Sequence, residues 1–201
     1  MIKRCVFDMG GVIVRDFHMA PELLPFLGLS GASFADIDPR LHEALSRHSR
    51  GEIGEDAFWV YYTEITCKLV PPHEGSLFGK FFHPKMDEPT VQVVNELKAA
   101  GMRVVAGTNV IDAHYAIHQR LNQYAFFDKI YASHLIGITK PDPAFYAYIL
   151  KAEGIQPDEV FFTDDMIENV NSAAGAGLHA FVYSGAAALR EQLLSLGLLR
   201  D

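Results

Sequence analysis

I-K-R-C-V-F-D-M-G-G-V-I-V, residues 2–14, is an apolar run that closes on one carboxylate, Asp8, and turns at once on Gly10 and Gly11. A strand buried on both faces of a parallel sheet reads as such a run. The carboxyl ends of such strands are where open α/β sheets hold their ligands. Glycines at that point let backbone approach a ligand closely. The plain alternative is a strand, a surface Asp and a tight turn. Only the rest of the chain separates the two.

After Val14 the strand pattern stops, and residues 16–87 read as all-helical. A short helix starts near Pro21 and ends near Gly28. A second follows Asp38-Pro39, with Leu41, Ala44 and Leu45 on one face. A third runs from Glu55 to Leu69, with Phe58, Tyr61, Tyr62 and Ile65 as its packed face, and Pro71-Pro72 stops it. Leu77 to Phe82 is a further short helix. From Glu88 the pattern alternates. Helices are expected over Pro89–Ala100, Asp112–Asn122, Ala144–Glu153, Met166–Ala176 and Ala186–Leu196. Strands are expected at M-R-V-V-A-G, Lys129–Ala132, Glu159–Thr163 and H-A-F-V-Y. Such alternation means a parallel sheet with helices on both faces. Residues 1–15 and 88–201 are therefore expected to form one α/β core domain, a Rossmann-like parallel sheet flanked by helices. Residues 16–87 are expected to form an inserted α-helical cap domain over the carboxyl edge of the first strand.

The totals narrow the function classes. A length of 201 residues suits one domain, or one domain carrying an insert. Apolar content of 49% with 21% charged residues is that of a globular protein with a core. A formal net charge of −8 repels nucleic acid and anionic membrane, and Lys3-Arg4 is too short to be a basic patch. No uninterrupted apolar run is long enough to span a bilayer. The first residues lack the pattern of a secretory signal, so a cytoplasmic location is expected. Cys5 and Cys67 make no disulfide framework and no zinc spacing; both are expected to be buried free thiols. No feature specifies an oligomeric state.

Polar residues fall at the strand ends. Asp8 follows the first strand, Thr108 and Asn109 the second, and Asp164 and Asp165 the fourth; Lys140 lies in the loop after the third. Singly, each has an ordinary explanation: a helix cap, a solvated lysine, acidic residues against a helix dipole. A parallel sheet, however, brings all of these ends to one edge. Together they supply a carboxylate nucleophile candidate, a hydroxyl and an amide, a cation, and an acidic pair suited to Mg²⁺, a hard oxygen-seeking ion.

With F-D-M-G-G-V, G-T-N, K-P-D-P and T-D-D-M-I-E-N-V in that order, the chain resembles the haloacid dehalogenase-like hydrolases, in the branch with a helical cap after the first strand. R-G-E-I-G-E-D-A-F-W at 50–59 is also similar to cap sequences of that branch. The resemblance implies a phosphatase acting on a small phosphorylated metabolite, with sugar phosphates as a suggested class. It implies Asp8 as nucleophile forming an aspartyl-phosphate, and Thr108 with the Asn109 backbone N–H as donors to the phosphoryl oxygens. It implies Lys140 as the neutralising cation, and Mg²⁺ held by Asp8, the Gly10 carbonyl and Asp165, with Asp164 orienting the ion's water shell.

One position departs from the pattern. The family's phosphatases usually read Asp-x-Asp-Gly, and here the second Asp is Gly10. Its carbonyl can still face a metal, but the carboxylate that protonates the leaving group is missing. Positioned acid–base catalysis is typically worth about 10²–10⁴-fold. Candidate stand-in proton donors are His18 and Asp16, at the entry to the cap. A bacterial α-glucose-1-phosphate phosphatase group has a similar Asp-x-Gly start. Two other readings stay open: a metal-independent 2-haloacid dehalogenase, and an impaired member that binds a phosphorylated ligand or partner without turnover.

Overall fold

The computed structural model describes residues 1–200. The N-terminal run forms β1 (Arg4–Phe7), and β2 (Val14–Arg15) follows its turn. The helical segment holds α1 (Ala20–Phe26), α2 (Phe34–Ile37), α3 (Pro39–Ser49), α4 (Glu55–Thr66) and α5 (Leu77–Lys80). It is closed by β3 (Lys85–Met86). Then come α6 (Glu88–Ala99), β4 (Arg103–Thr108), α7 (Asp112–Arg120), β5 (Lys129–Ala132), α8 (Ser133–Ile136) and α9 (Pro143–Glu153). The chain continues with β6 (Val160–Asp164), α10 (Ile167–Gly175), β7 (His179–Val182) and α11 (Ala186–Ser195).

β1 is the central strand of a five-stranded parallel sheet in the order β5-β4-β1-β6-β7. It pairs Phe7 with Ala106 on one side and with Thr163 on the other. The chain builds outward from β1 through β4 to β5, then crosses back to add β6 and β7. The reversal lies at the carboxyl end of β1, where such sheets open a crevice for a ligand.

Strand periodicity sends alternate side chains to opposite faces. Cys5, Phe7, Val104, Ala106 and Phe161 pack against Val93, Val94 and Leu97 of α6 and Leu189 and Leu193 of α11. Val6, Val105, Val160 and Phe162 pack against Phe145, Tyr146 and Ile149 of α9 and Val170 and Ala173 of α10. The Rossmann-like expectation is met: this is an α/β sheet with helices on both faces. Each fully buried side chain of this kind contributes about 1.5–3 kcal/mol relative to exposure.

Helices α1–α5 lie between β2 and β3, which pair antiparallel through Val14–Met86 and Arg15–Lys85. They share a third cluster, in which Leu23, Leu24, Leu41, Phe58, Tyr62 and Phe78 meet. Ile111, just before α7, belongs to the same cluster and anchors it to the sheet.

Three expectations need correction. The third cap helix ends at Thr66, not Leu69, because Cys67 turns left-handed (φ 55°) with its N–H on the Thr63 carbonyl. Cys67 is exposed rather than buried; Cys5 is buried, and burial pushes its thiol up to about 12. The segment read as a loop after β5 begins with a helical turn, α8, ended by Gly137 in the left-handed region. Among the described residues no helix is long and apolar enough to cross a membrane.

Candidate active site

Asp8 leaves β1 with its N–H bonded to the Thr163 carbonyl of β6 at 3.1 Å. The next residues fold back immediately: Ile13 and Val14 both donate to the Met9 carbonyl. Gly11 sits at the apex with φ +75°, a region that favours glycine. Space matters there as well. A Cβ on Gly11 would lie 2.1 Å from Asp165 Oδ2, so the Asp165 carboxylate occupies room that only a glycine leaves. The Arg15 guanidinium donates to the Gly11 carbonyl and, through Nη2, to Tyr183 Oη at 3.1 Å, fixing the turn from behind.

Asp164 is the last residue of β6 and is fully enclosed. Its Oδ1 accepts from the Met166 N–H and from Asn169 Nδ2, each at 2.9 Å. Its Oδ2 accepts from Lys140 Nζ at 2.6 Å. The same ammonium donates to Asp8 Oδ1 at 2.6 Å. Lys140 thus bridges two carboxylates from different strands, in surroundings that leave its side chain 1% exposed. Burial works against its charge, but Asp8 and Asp164 outweigh burial and hold the lysine protonated.

Asn109 explains how a loop lysine is aimed so closely. Its side chain accepts from the Lys140 N–H at 2.9 Å and donates to the Lys140 carbonyl at 2.8 Å, a two-point clamp on that residue's backbone. Thr108, the last residue of β4, is buried beside it.

Burial is the largest influence on Asp8 and raises its pKa; Lys140 draws it down and Asp164 pushes it up, leaving it at about 7. Asp165 is raised too, first by burial and then by the charge of Asp164. One oxygen from each of Asp8, Asp164 and Asp165 falls within 4.8 Å of the others. Three carboxylates against one ammonium leave two negative charges, the charge of one divalent cation. The donors are all hard oxygens, and the missing Cβ of Gly11 leaves room for the Asp165 carboxylate among them. The residues therefore fit Mg²⁺. Asp164 has both oxygens engaged by protein donors and lies behind the other two.

The stand-in proton donors lie differently. Asp16 is held by Lys85 at 2.8 Å on the exposed β2–β3 neck, and the hydrogen bond to Lys85 lowers its pKa. That is the wrong direction for a proton donor. His18 is exposed, with its ring 4.1 Å from that of Phe17. Phe17 in turn lies over Gly10: a Cβ added there would be 2.9 Å from its ring. Both residues line a cavity of about 500 Å³ beneath the helical segment.

Asn169 and Arg15 carry no expectation from the sequence, and Phe17 is expected there only as an aromatic that could line a pocket or pack the cap. Asn169 stands inside T-D-D-M-I-E-N-V, five residues past Asp164, where the first helical turn returns it to the strand end; that spacing is its signal. The contacts of Arg15 and Phe17 depend on the fold and carry no local signal.

Comparison with known proteins agrees with the geometry. The family model described as "Hydrolase: haloacid dehalogenase-like hydrolase" matches residues 2–177. A D-ribitol-5-phosphate phosphatase of Bacteroides thetaiotaomicron is 28% identical over 96% of this chain and 97% of its own. A sesquiterpene phosphatase of Aspergillus oryzae is 28% identical over 88% of this chain and 87% of its own. Among solved structures, a haloacid dehalogenase family enzyme of Bacteroides thetaiotaomicron, in complex with magnesium and inorganic phosphate, superposes with a TM-score of 0.69. It is 19% identical, over 92% of this chain and 94% of its own.

Proposed function

This chain belongs to the haloacid dehalogenase-like hydrolases, and on that premise we propose that it is a Mg²⁺-dependent phosphatase of a small phosphorylated metabolite, with Asp8 as nucleophile. The observation that carries this reading is the single ammonium of Lys140 spanning Asp8 and Asp164 at 2.6 Å each, with Asp165 as a third carboxylate.

In this reading Asp8, the Gly10 carbonyl and Asp165 hold the ion, and Asp164 orients Lys140 and the ion's water shell. Bound there, Mg²⁺ supplies Lewis-acid stabilisation of charge on the phosphoryl oxygens. The chain's own groups do the rest. One oxygen of Asp8 attacks phosphorus while the ester P–O bond breaks. Thr108 Oγ1 and the Asn109 N–H donate to the phosphoryl oxygens, and Lys140 balances their charge. The leaving alkoxide takes a proton, and His18, exposed on the wall of the adjacent cavity, is the donor; Asp16, committed to Lys85, is not. Water then attacks the aspartyl-phosphate, giving phosphate and free Asp8. Residues 16–87 act as the cap that chooses the organic part of the substrate. The relatives named above include a ribitol phosphate phosphatase and a sesquiterpene phosphatase, so the reading rests on the phosphoryl end.

The test is phosphate release from p-nitrophenyl phosphate, with Mg²⁺ and with chelator. Asp8→Asn, and chelation of the wild type, are each expected to cut turnover at least about 10³-fold. Chloride release from a 2-chloro acid without metal, and no phosphate release, would turn the reading into that of a dehalogenase. His18→Ala is expected to slow an alkyl phosphate more than p-nitrophenyl phosphate, because nitrophenolate leaves with little protonation. Equal slowing would remove His18 from the role.

A further inference from the structure

The cavity beside Gly10 carries more than an address for His18. It holds about 500 Å³, within the size range of small-molecule sites, about 300–1,000 Å³. Phe17 is a wall it shares with the catalytic turn, since the same ring lies over Gly10, two residues from Asp8. Through Phe17 the space adjoins the turn that follows the proposed nucleophile.

Its lining is apolar. Phe17, Met19, Phe34 and Leu45 give the broad surfaces, and none of the lining residues is an Asp, Glu, Asn, Gln, Lys or Arg. The polar members are few and partly committed. Burial drives the His114 pKa down to about 3, so its ring is neutral, and it stacks on Phe82 at 3.7 Å with its Nε2 3.2 Å from the Phe78 carbonyl. The Ser33 N–H donates to Asp36 Oδ2 at 2.9 Å, which leaves its hydroxyl as the one small polar group on that wall besides His18. A polyol moved here from water would leave several hydroxyls unpaired, and each unpaired hydroxyl weakens binding on the order of tenfold. An alkyl or terpenoid chain would lose nothing by the same move.

We infer that this protein's preferred substrates are phosphate esters of apolar alcohols, with the hydrocarbon in the cavity walled by Phe17 and Leu45. The inference rests on the phosphatase reading and specifies its substrate class.

The experiment uses the full chain with Mg²⁺ and a series of straight-chain alkyl phosphates from butyl to octyl, alongside ribitol 5-phosphate and acetyl phosphate. Leaving-group acidity is nearly constant along the alkyl series, so kcat/KM reports burial of the chain. The expected result is a rise of roughly two- to fourfold per methylene until the cavity fills, with octyl phosphate well ahead of ribitol 5-phosphate. Leu45→Gln should flatten that slope. A flat series in the wild type, or a faster ribitol 5-phosphate, overturns the inference and leaves the phosphatase reading standing. Failure to release phosphate from every ester and from acetyl phosphate overturns the phosphatase reading itself. The wild-type series decides the matter even if the variant does not fold.

Discussion

Gly10 is the residue on which the chemistry turns. Replacing it with the carboxylate usual in the family meets a specific obstacle, because a Cβ there would stand 2.9 Å from the Phe17 ring. Phe17 is half-buried and packed beside His18, so its ring must shift to admit the new side chain. Gly10→Asp alone is therefore expected to cost about 1–2 kcal/mol of stability through overpacking, without a gain in rate. Gly10→Asp combined with Phe17→Ala should recover the stability lost to the clash and raise turnover of an alkyl phosphate about tenfold or more. Thermal melts and steady-state rates on the two single variants and the double variant form a cycle. Additive effects across it would show that Phe17 does not stand in the carboxylate's place. Gly11 shows the opposite logic: its bare Cα gives Asp165 its position.

At the scale of elements, the four strands that carry the site were legible because buried parallel strands are continuous apolar runs ended by a polar residue. β5 has the bounds expected, and β6 is shifted by one residue, starting at Val160 and taking Asp164 into the strand instead of the turn. The β2–β3 ribbon was not legible, since two residues on each side are too few to show a period. The Lys140 loop was legible as a motif but not as a geometry. Its aim comes from Asn109, thirty-one positions earlier, gripping its backbone from another loop. The first turn of α10 does the same for the acidic pair through Asn169, the last group that holds Asp164 against β6. Asn169→Ala should remove one buried charge-assisted hydrogen bond, costing about 1.5–3 kcal/mol in denaturant unfolding. It should also weaken Mg²⁺ binding in calorimetry, by disturbing Asp164 behind Asp165. Unchanged Mg²⁺ affinity would limit Asn169 to a structural part.

At the scale of the molecule, the sheet has one end for chemistry and one for stability. At the end away from Asp8, Glu153 closes α9 onto three strands. It accepts from Arg4 of β1 at 3.0 Å, from Arg103 of β4 at 2.8 Å and from Tyr131 of β5 at 2.7 Å. The hydrogen bonds from Arg103 are the largest influence, and the carboxyl is held down at about 2. A folded pKa below the unfolded value gives stability that is present above the ordinary glutamate range and lost as pH falls toward 2. Glu153→Gln should thus cost about 2 kcal/mol at pH 7 and much less near pH 3. Urea unfolding at the two values checks this; an equal cost at both would deny the ion pair its role. Of the three apolar clusters, one is drawn from residues 16–87 with Ile111 added, whereas the two on the sheet faces draw on segments spread along the chain. The cavity was not legible, because its walls come from separate parts of the chain and only folding sets Phe17 above Gly10.

The central claim is that Asp8 takes the phosphoryl group. Its most direct test is to mix the Mg²⁺-loaded protein with acetyl phosphate, quench in acid within milliseconds and locate any phosphoryl group by peptide mass spectrometry. The account predicts one phosphoryl group on the peptide containing Asp8, absent in Asp8→Asn and absent with chelator. A phosphoryl group on another residue, or phosphate release undiminished in Asp8→Asn, would contradict it.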